Sequence, residues 1–359
     1  MDEGSKTRFK FRGGFAFLPL AGILAFCAFS FAQTYPSKSW DRIRNPERVG
    51  WSGVDLKKAR DYSATIATSA VMVVLDGKVL DEWGETSARF NVHSIRKSFL
   101  SALYGIHIRE GLINPAETMQ QLGIDDNEPS LTTVEKQATL MSLLRARSGV
   151  YHPALYETAS MKAARPQRGS HAPDTFWYYN NWDFNVLGTV FERKTKNSLF
   201  REFKARIADP IGMQDFRLED CAYVTGADSV YPAYPFRMTA RDMARFGLLF
   251  LRRGAWRGKT VIPPEWVDES TRSYSDARGS GGYGYLWWVA VEGRHLPNVT
   301  LNGAYSARGA GGHYILVVPD RKLVIVHRVN TDIQGRSVSG QQFGQLVKLI
   351  LDARRPGLP

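Results

Sequence analysis

The chain has 359 residues, 43% of them hydrophobic and 23% charged, with a net charge of +12. That length supports one large domain or two intertwined ones with a substantial core, and the composition excludes a wholly disordered chain. The 47 basic residues are scattered, with no Lys/Arg block interleaved with aromatics, so no nucleic-acid signal stands out and no nucleic-acid partner is expected.

In chain order, the first element reads as a targeting segment. MDEGSKTRFKFRGG carries Lys6, Arg8, Lys10 and Arg12, the apolar run FAFLPLAGILAFCAFSFA follows, and it ends in Ser30-Phe31-Ala32. A basic start, a short apolar core and small residues at the −3 and −1 positions form the signature of a cleaved secretory signal. The expectation is removal of residues 1–32 and an exported protein, periplasmic or secreted, running from Gln33 to Pro359. The competing reading is an uncleaved membrane anchor, because the run approaches the length needed to span a bilayer; Pro19 and the small-residue exit favour cleavage. A lipoprotein attached through Cys27 is disfavoured by the bulky Phe26 before it. Cleavage removes four basic and two acidic residues and leaves a net charge of +10. It also leaves Cys221 alone, without a disulfide partner or the spacing of a thiol enzyme or zinc site. Cys221 is expected to be an inert, buried residue.

No repeat of fixed period is present. AVMVVLDGKVLDEWG, residues 70–84, predicts a β-hairpin turning at Asp76-Gly77, since glycine tolerates positive φ. SIRKSFLSALYGIHIREG predicts a helix from about Ser94 to Gly111, and further helical patterns fill the middle of the chain. A second hairpin is expected over residues 314–330, turning at Pro319-Asp320, and QQFGQLVKLILDAR predicts a C-terminal helix. Strands at both ends and helices between them predict an α/β fold. Its single sheet would be built from both chain ends (about 40–92 and 285–359), with flanking helices and an inserted, mostly helical subdomain (about 93–284). Sites commonly form at such a junction.

Two motifs carry chemistry. Ser94-Ile95-Arg96-Lys97 places a serine and a lysine one helical turn apart, on a shared face. Burial lowers a lysine's pKa, so a neutral Lys97 could take the hydroxyl proton of Ser94. The serine's own N–H would then face the oxyanion formed on attack. A serine N-cap with a lysine one turn on is also a common surface feature; the hairpin before the motif and the apolar helix after it place this one between core and cleft. The second segment, FWYYNNWDFNVLG at 176–188, offers a tyrosine two residues before an asparagine in two registers, Tyr178 with Asn180 or Tyr179 with Asn181. A tyrosine there could relay protons and an asparagine amide could bind a substrate's flank. The bland alternative is an aromatic core cluster.

S-x-x-K followed 85 residues later by Y-x-N resembles the class C β-lactamase and penicillin-binding-protein-like serine hydrolases. HSIRKSFLSALYGI, LLRARSGV, YNNWDFNVLG, DPIGMQDF, MTARDMARFGLLFLRRGAWRGKTVIP, YGYLWW and PDRKLVIVHRVN resemble that family's segments in order, across nearly the whole mature chain. The resemblance implies a β-lactamase-like fold and hydrolysis of an ester or amide through an acyl-enzyme. Ser94 would be the nucleophile, Lys97 the base and Tyr179 the proton relay. Asn181 would bind substrate, since the family's asparagine lies seven residues before the glycine of L-G, here Gly188. No cofactor or metal is implied, and the partner would be a small ester, amide or peptide-like substrate. The esterase and 6-aminohexanoate-dimer hydrolase branches are nearest. A β-lactamase or D-alanyl-D-alanine peptidase, and a non-turnover penicillin-binding or scaffold protein, are the alternatives.

The family's third motif, K-T-G or H-x-G, is altered. Its best counterpart is Ala307-Arg308-Gly309, where Gly309 allows close approach of substrate and the N–H near Ala310 would complete the oxyanion hole. On a strand, Arg308 should point to the face opposite Ala307, and His313 either faces the cleft or packs. There is no G-x-S-x-G or H-E-x-x-H. His93 is expected to pack, and Trp287 and Trp288 either wall the pocket or belong to the core.

Overall fold

A computed structural model of the protein describes residues 33–355; the segment read as a cleaved signal, residues 1–32, lies outside the described residues. Both expected hairpins form, and they pair with each other. β1 (Ala70–Leu75) and β2 (Lys78–Gly84) turn through Asp76 and Gly77 at φ 47° and 91°, the left-handed geometry of an Asp-Gly turn. A Cβ on Gly77 would lie 2.0 Å from the Thr34 carbonyl oxygen, so the turn and the close approach both require glycine.

The remaining strands of the sheet are β3 (Ser275–Asp276), β4 (Gly282–Tyr283), β5 (Trp288–Val289), β6 (Tyr305–Gly309), β7 (His313–Val318) and β8 (Leu323–Arg328). The order is β2-β1-β8-β7-β6-β5-β4-β3, with every neighbouring pair antiparallel. β1 lies against β8, Ala70 opposite Arg328 and Leu75 opposite Leu323, so the sheet is built from both chain ends as expected. Helices α1 (Gly53–Ser63) and α5 (Gly340–Asp352) cover one face. Helices α2 (Arg96–Arg109) and α4 (Ala240–Leu251) cover the other, and α3 (Asn181–Thr195) packs beyond α2.

Alternation along the strands feeds two cores. Val71, Val73, Leu316 and Ile325 meet Leu56, Phe343 and Val347; Met72, Val74, Ile315 and Val326 meet Phe99, Leu103 and Phe246. Burial on both faces explains why AVMVVL and LVIVHR are unbroken apolar runs rather than alternating ones. The α5 start is a capping box between Ser339 and Gln342, an arrangement that contributes about 1 kcal/mol.

Two expectations need correction. The helix read from Ser94 begins as a 3-10 turn, His93–Ile95, and becomes α-helical only at Arg96. The middle of the chain is less helical than its pattern: Val224–Gly226 pairs with Ser229–Ala233, Ala255–Trp256 with Lys259–Thr260, and β3 and β4 join the main sheet before residue 285. Strands of two or three residues carry too little alternation to register as a period.

Candidate active site

Helix α2 is buried along its length from Arg96 to His107, which marks a central helix rather than an amphipathic one. Its N-terminal turn carries Ser94, half-buried, and Lys97, only 1% exposed. In 3-10 geometry residues i and i+3 eclipse, and Lys97 Nζ lies 2.9 Å from Ser94 Oγ.

Helix α3 supplies the opposite wall. Asn180 caps it, its side-chain oxygen accepting from Trp182 N–H at 3.2 Å while its amide donates to the Val150 carbonyl at 2.6 Å. The Tyr178 hydroxyl donates to the Met161 carbonyl at 2.8 Å. These two residues are therefore committed to holding the segment. Tyr179 and Asn181 project to Lys97 instead: the Tyr179 hydroxyl lies 2.6 Å and Asn181 Oδ1 2.8 Å from Nζ. Asn181 Nδ2 donates to the Tyr156 carbonyl at 2.6 Å, which fixes the amide's orientation with its oxygen toward Lys97.

Among the described residues the amine has no carboxylate partner. It sits 4.1 Å from the Tyr179 ring centre and 4.4 Å from that of Phe184. Burial, reinforced by the charge of Arg96, holds it well below the usual lysine range. Burial also pushes the Tyr179 phenol up to about 12, against the pull of the Ser94 hydroxyl and the charges of Arg96 and Arg308. A neutral amine has two N–H groups and one lone pair. Asn181 Oδ1 only accepts, so it takes one N–H. In that form one N–H and the lone pair would remain for Ser94 and Tyr179.

The third segment approaches from β6. A Cβ on Gly309 would lie 2.4 Å from the Val92 carbonyl oxygen and 3.3 Å from His93 Cβ, so glycine lets the strand end touch the turn that carries Ser94. Ala310 follows, exposed, in the β6–β7 turn. Ala307 points into the core and Arg308 to the other face, as strand alternation requires. Arg308 donates to Ser306 Oγ at 3.0 Å and to the His295 carbonyl at 2.8 Å, and its guanidinium stands 4.8 Å over the Trp288 ring. Burial lowers its pKa to about 10.

His313 is fully buried and does not face the cleft: its Nδ1 accepts from Arg328 Nε at 2.9 Å and its ring lies 5.2 Å from that of His93. Burial, with the Arg328 charge, keeps it neutral. His93 packs as expected, bonding Thr331 Oγ1 at 2.8 Å. Trp287 is core, while the half-buried Trp288 lies 5.4 Å from Tyr179 and walls the site. Cys221 is half-buried rather than buried, and desolvation pushes its thiol up to about 12, so it stays protonated. Among the described residues no group of three or more His, Cys, Asp or Glu could hold a metal.

Sequence reasoning missed Arg96, Asn185 and Tyr156. Arg96, 1% exposed, donates to Asn185 Oδ1 at 3.1 Å and lies 4.6 Å over the Tyr234 ring. Asn185 lies one turn after Asn181 on the same helix face, a spacing that signals a shared role. Nothing local marks Arg96 or the Tyr156 carbonyl.

The family model described as Beta-lactamase matches residues 56–342. Across 302 residues the chain is 20% identical to an uncharacterised protein of Alkalihalophilus pseudofirmus, covering 73% of this chain and 84% of that one. Among solved structures, it is similar to a Bacillus anthracis protein described as a 6-aminohexanoate-dimer hydrolase (TM-score 0.63, 20% identity, 89% of this chain and 88% of that one). It is also similar to a family VIII carboxylesterase (TM-score 0.61, 16% identity, 85% and 99%). At these identities the likeness establishes a shared fold.

Proposed function

The chain belongs to the beta-lactamase family, and from that premise we propose that it is a serine hydrolase cleaving an ester or amide bond through an acyl-enzyme. The observation that carries this is the buried Lys97 amine, without a carboxylate partner, at 2.9 Å from Ser94 Oγ and 2.6 Å from the Tyr179 hydroxyl. Ser94 attacks the substrate carbonyl and its proton passes to the Lys97 lone pair. The N–H groups of Ser94 and Ala310 hold the oxyanion, across the contact that Gly309 allows. Tyr179, neutral until about pH 12, delivers a proton to the leaving group and is recharged by Lys97. In the second half, water replaces the leaving group and the proton path runs in reverse. Asn181, which holds Lys97 through Oδ1, orients the amine as well as the substrate's flank.

The substrate is a small ester, amide or peptide-like molecule, in keeping with the described activities of the two structural neighbours. Arg308 supplies the positive charge that a lysine or histidine would bring to this strand. Its place beside Trp288 and Tyr179 supports a second reading, in which an anionic flank, such as that of a β-lactam or a D-alanyl peptide, is bound here. Residues 1–32 support export to the periplasm or beyond.

The test is hydrolysis of p-nitrophenyl acetate and butyrate by the purified protein, with Ser94→Ala in parallel. Sustained turnover that disappears in the variant supports the assignment. Equal rates in both refute Ser94 as the nucleophile, and a single burst without turnover makes the protein an acylated receptor.

A further inference from the structure

A cavity of about 690 Å³ opens at the end of the sheet remote from Ser94. The nucleophile turn sits against Gly309, at the β6–β7 turn, and β8 ends beside it at Arg328. From there the six residues of β7 span about 17 Å to Val318. The cavity is formed past that point by the β7–β8 connection, the β1–β2 turn and the segment before α1.

Seven Lys or Arg side chains line it against two aspartates. Arg42 pairs with Glu82, and Lys322 lies 3.7 Å from Asp76. The other five, Arg44, Arg48, Lys78, Arg321 and Arg354, make no ion pair among the described residues. Ile43, Val49, Trp51 and Leu75 supply apolar lining. The site is thus a cationic groove with an apolar floor. Thr34 also lines it, and the apolar run of residues 15–32 ends two residues earlier, so the chain enters the described body at this groove.

We propose that the groove docks the protein on the anionic phosphates of a lipid membrane surface. The charges complement an anionic headgroup layer, and the apolar floor accepts its glycerol and upper acyl carbons. Docked this way, the Ser94 end of the sheet faces away from the membrane.

The probe is co-sedimentation of the full chain with phosphatidylcholine vesicles, and with the same vesicles containing one part in three of phosphatidylglycerol. Each basic side chain near an anionic surface strengthens binding about fivefold. Arg44→Glu/Arg48→Glu/Arg321→Glu should therefore lose at least tenfold of the gain produced by phosphatidylglycerol. Its binding to pure phosphatidylcholine, and its unfolding midpoint, should match wild type. The gain should also weaken with salt. Neutralising Lys6, Arg8, Lys10 and Arg12 serves as the control for the basic N-terminal stretch. The proposal is overturned if the groove variant keeps the whole gain or if only the N-terminal variant loses it. It is also overturned if the groove charges retain duplex DNA but not vesicles.

Discussion

Lys97→Met removes the amine while keeping side-chain length and burial. The lysine's pKa is lower folded than its unfolded value of 10.5, so between the two values the unfolded chain binds more protons. Stability contributed at this position is therefore fully present above 10.5 and declines as pH falls toward the folded value. The slope reaches about 1.4 kcal/mol per pH unit. At high pH wild type keeps three contacts of 2.6–2.9 Å that methionine lacks, each with a net value of about 1 kcal/mol. Wild type should thus be the more stable protein in alkali, and its advantage should shrink as pH falls through the window. Urea unfolding followed by tryptophan fluorescence, run on both proteins across a series of alkaline to neutral buffers, measures the gap; other titrations cancel in the difference. Ester turnover by the variant should fall at least about a hundredfold. A gap independent of pH would refute the reasoning, because Lys97 would then keep its ordinary pKa in the fold and be charged at neutral pH.

The two Tyr-Asn registers make a paired test. Tyr179→Phe should lower kcat by about 10²-fold or more, whereas Tyr178→Phe, which loses one bond to Met161, should cost about 1 kcal/mol of stability and leave kcat unchanged; the reverse pattern would reassign the relay. Asn181→Ala leaves the Tyr156 carbonyl and the Lys97 amine short of a partner. It should destabilise by about 1–3 kcal/mol in urea and lower kcat as well. In Gly309→Ala the new methyl meets Val92 O at 2.4 Å and pushes β6 off the turn that carries Ser94, so kcat should fall more than KM rises. In wild type, kcat/KM should rise with pH along an acid limb set by Lys97 and show no fall from Tyr179 until near pH 12; an alkaline fall near neutrality would point to a different proton relay.

The sequence alone determined what depends on local geometry. Asp76-Gly77 specified its hairpin because few residues adopt two successive positive φ values, and Ser94-x-x-Lys97 specified its pair because three residues is one turn in either kind of helix. Apolar runs buried on both faces marked the strands at the two chain ends. Tertiary structure decided what depends on distant partners. The spacing of Asn181 to Gly188 chose the register by resemblance, and the structure supplies the reason: the Val150 and Met161 carbonyls hold Asn180 and Tyr178, so Tyr179 and Asn181 face Lys97. Arg96 reads as one more charge beside a lysine, and only burial against Tyr234 and Asn185 makes it a source of positive potential at the amine. His313 was open between cleft and core until Arg328, on the neighbouring strand, took its ring nitrogen. The basic groove gathers residues from 34 to 354: each is an ordinary surface side chain in sequence, and their shared potential exists only because the sheet joins the two ends of the chain.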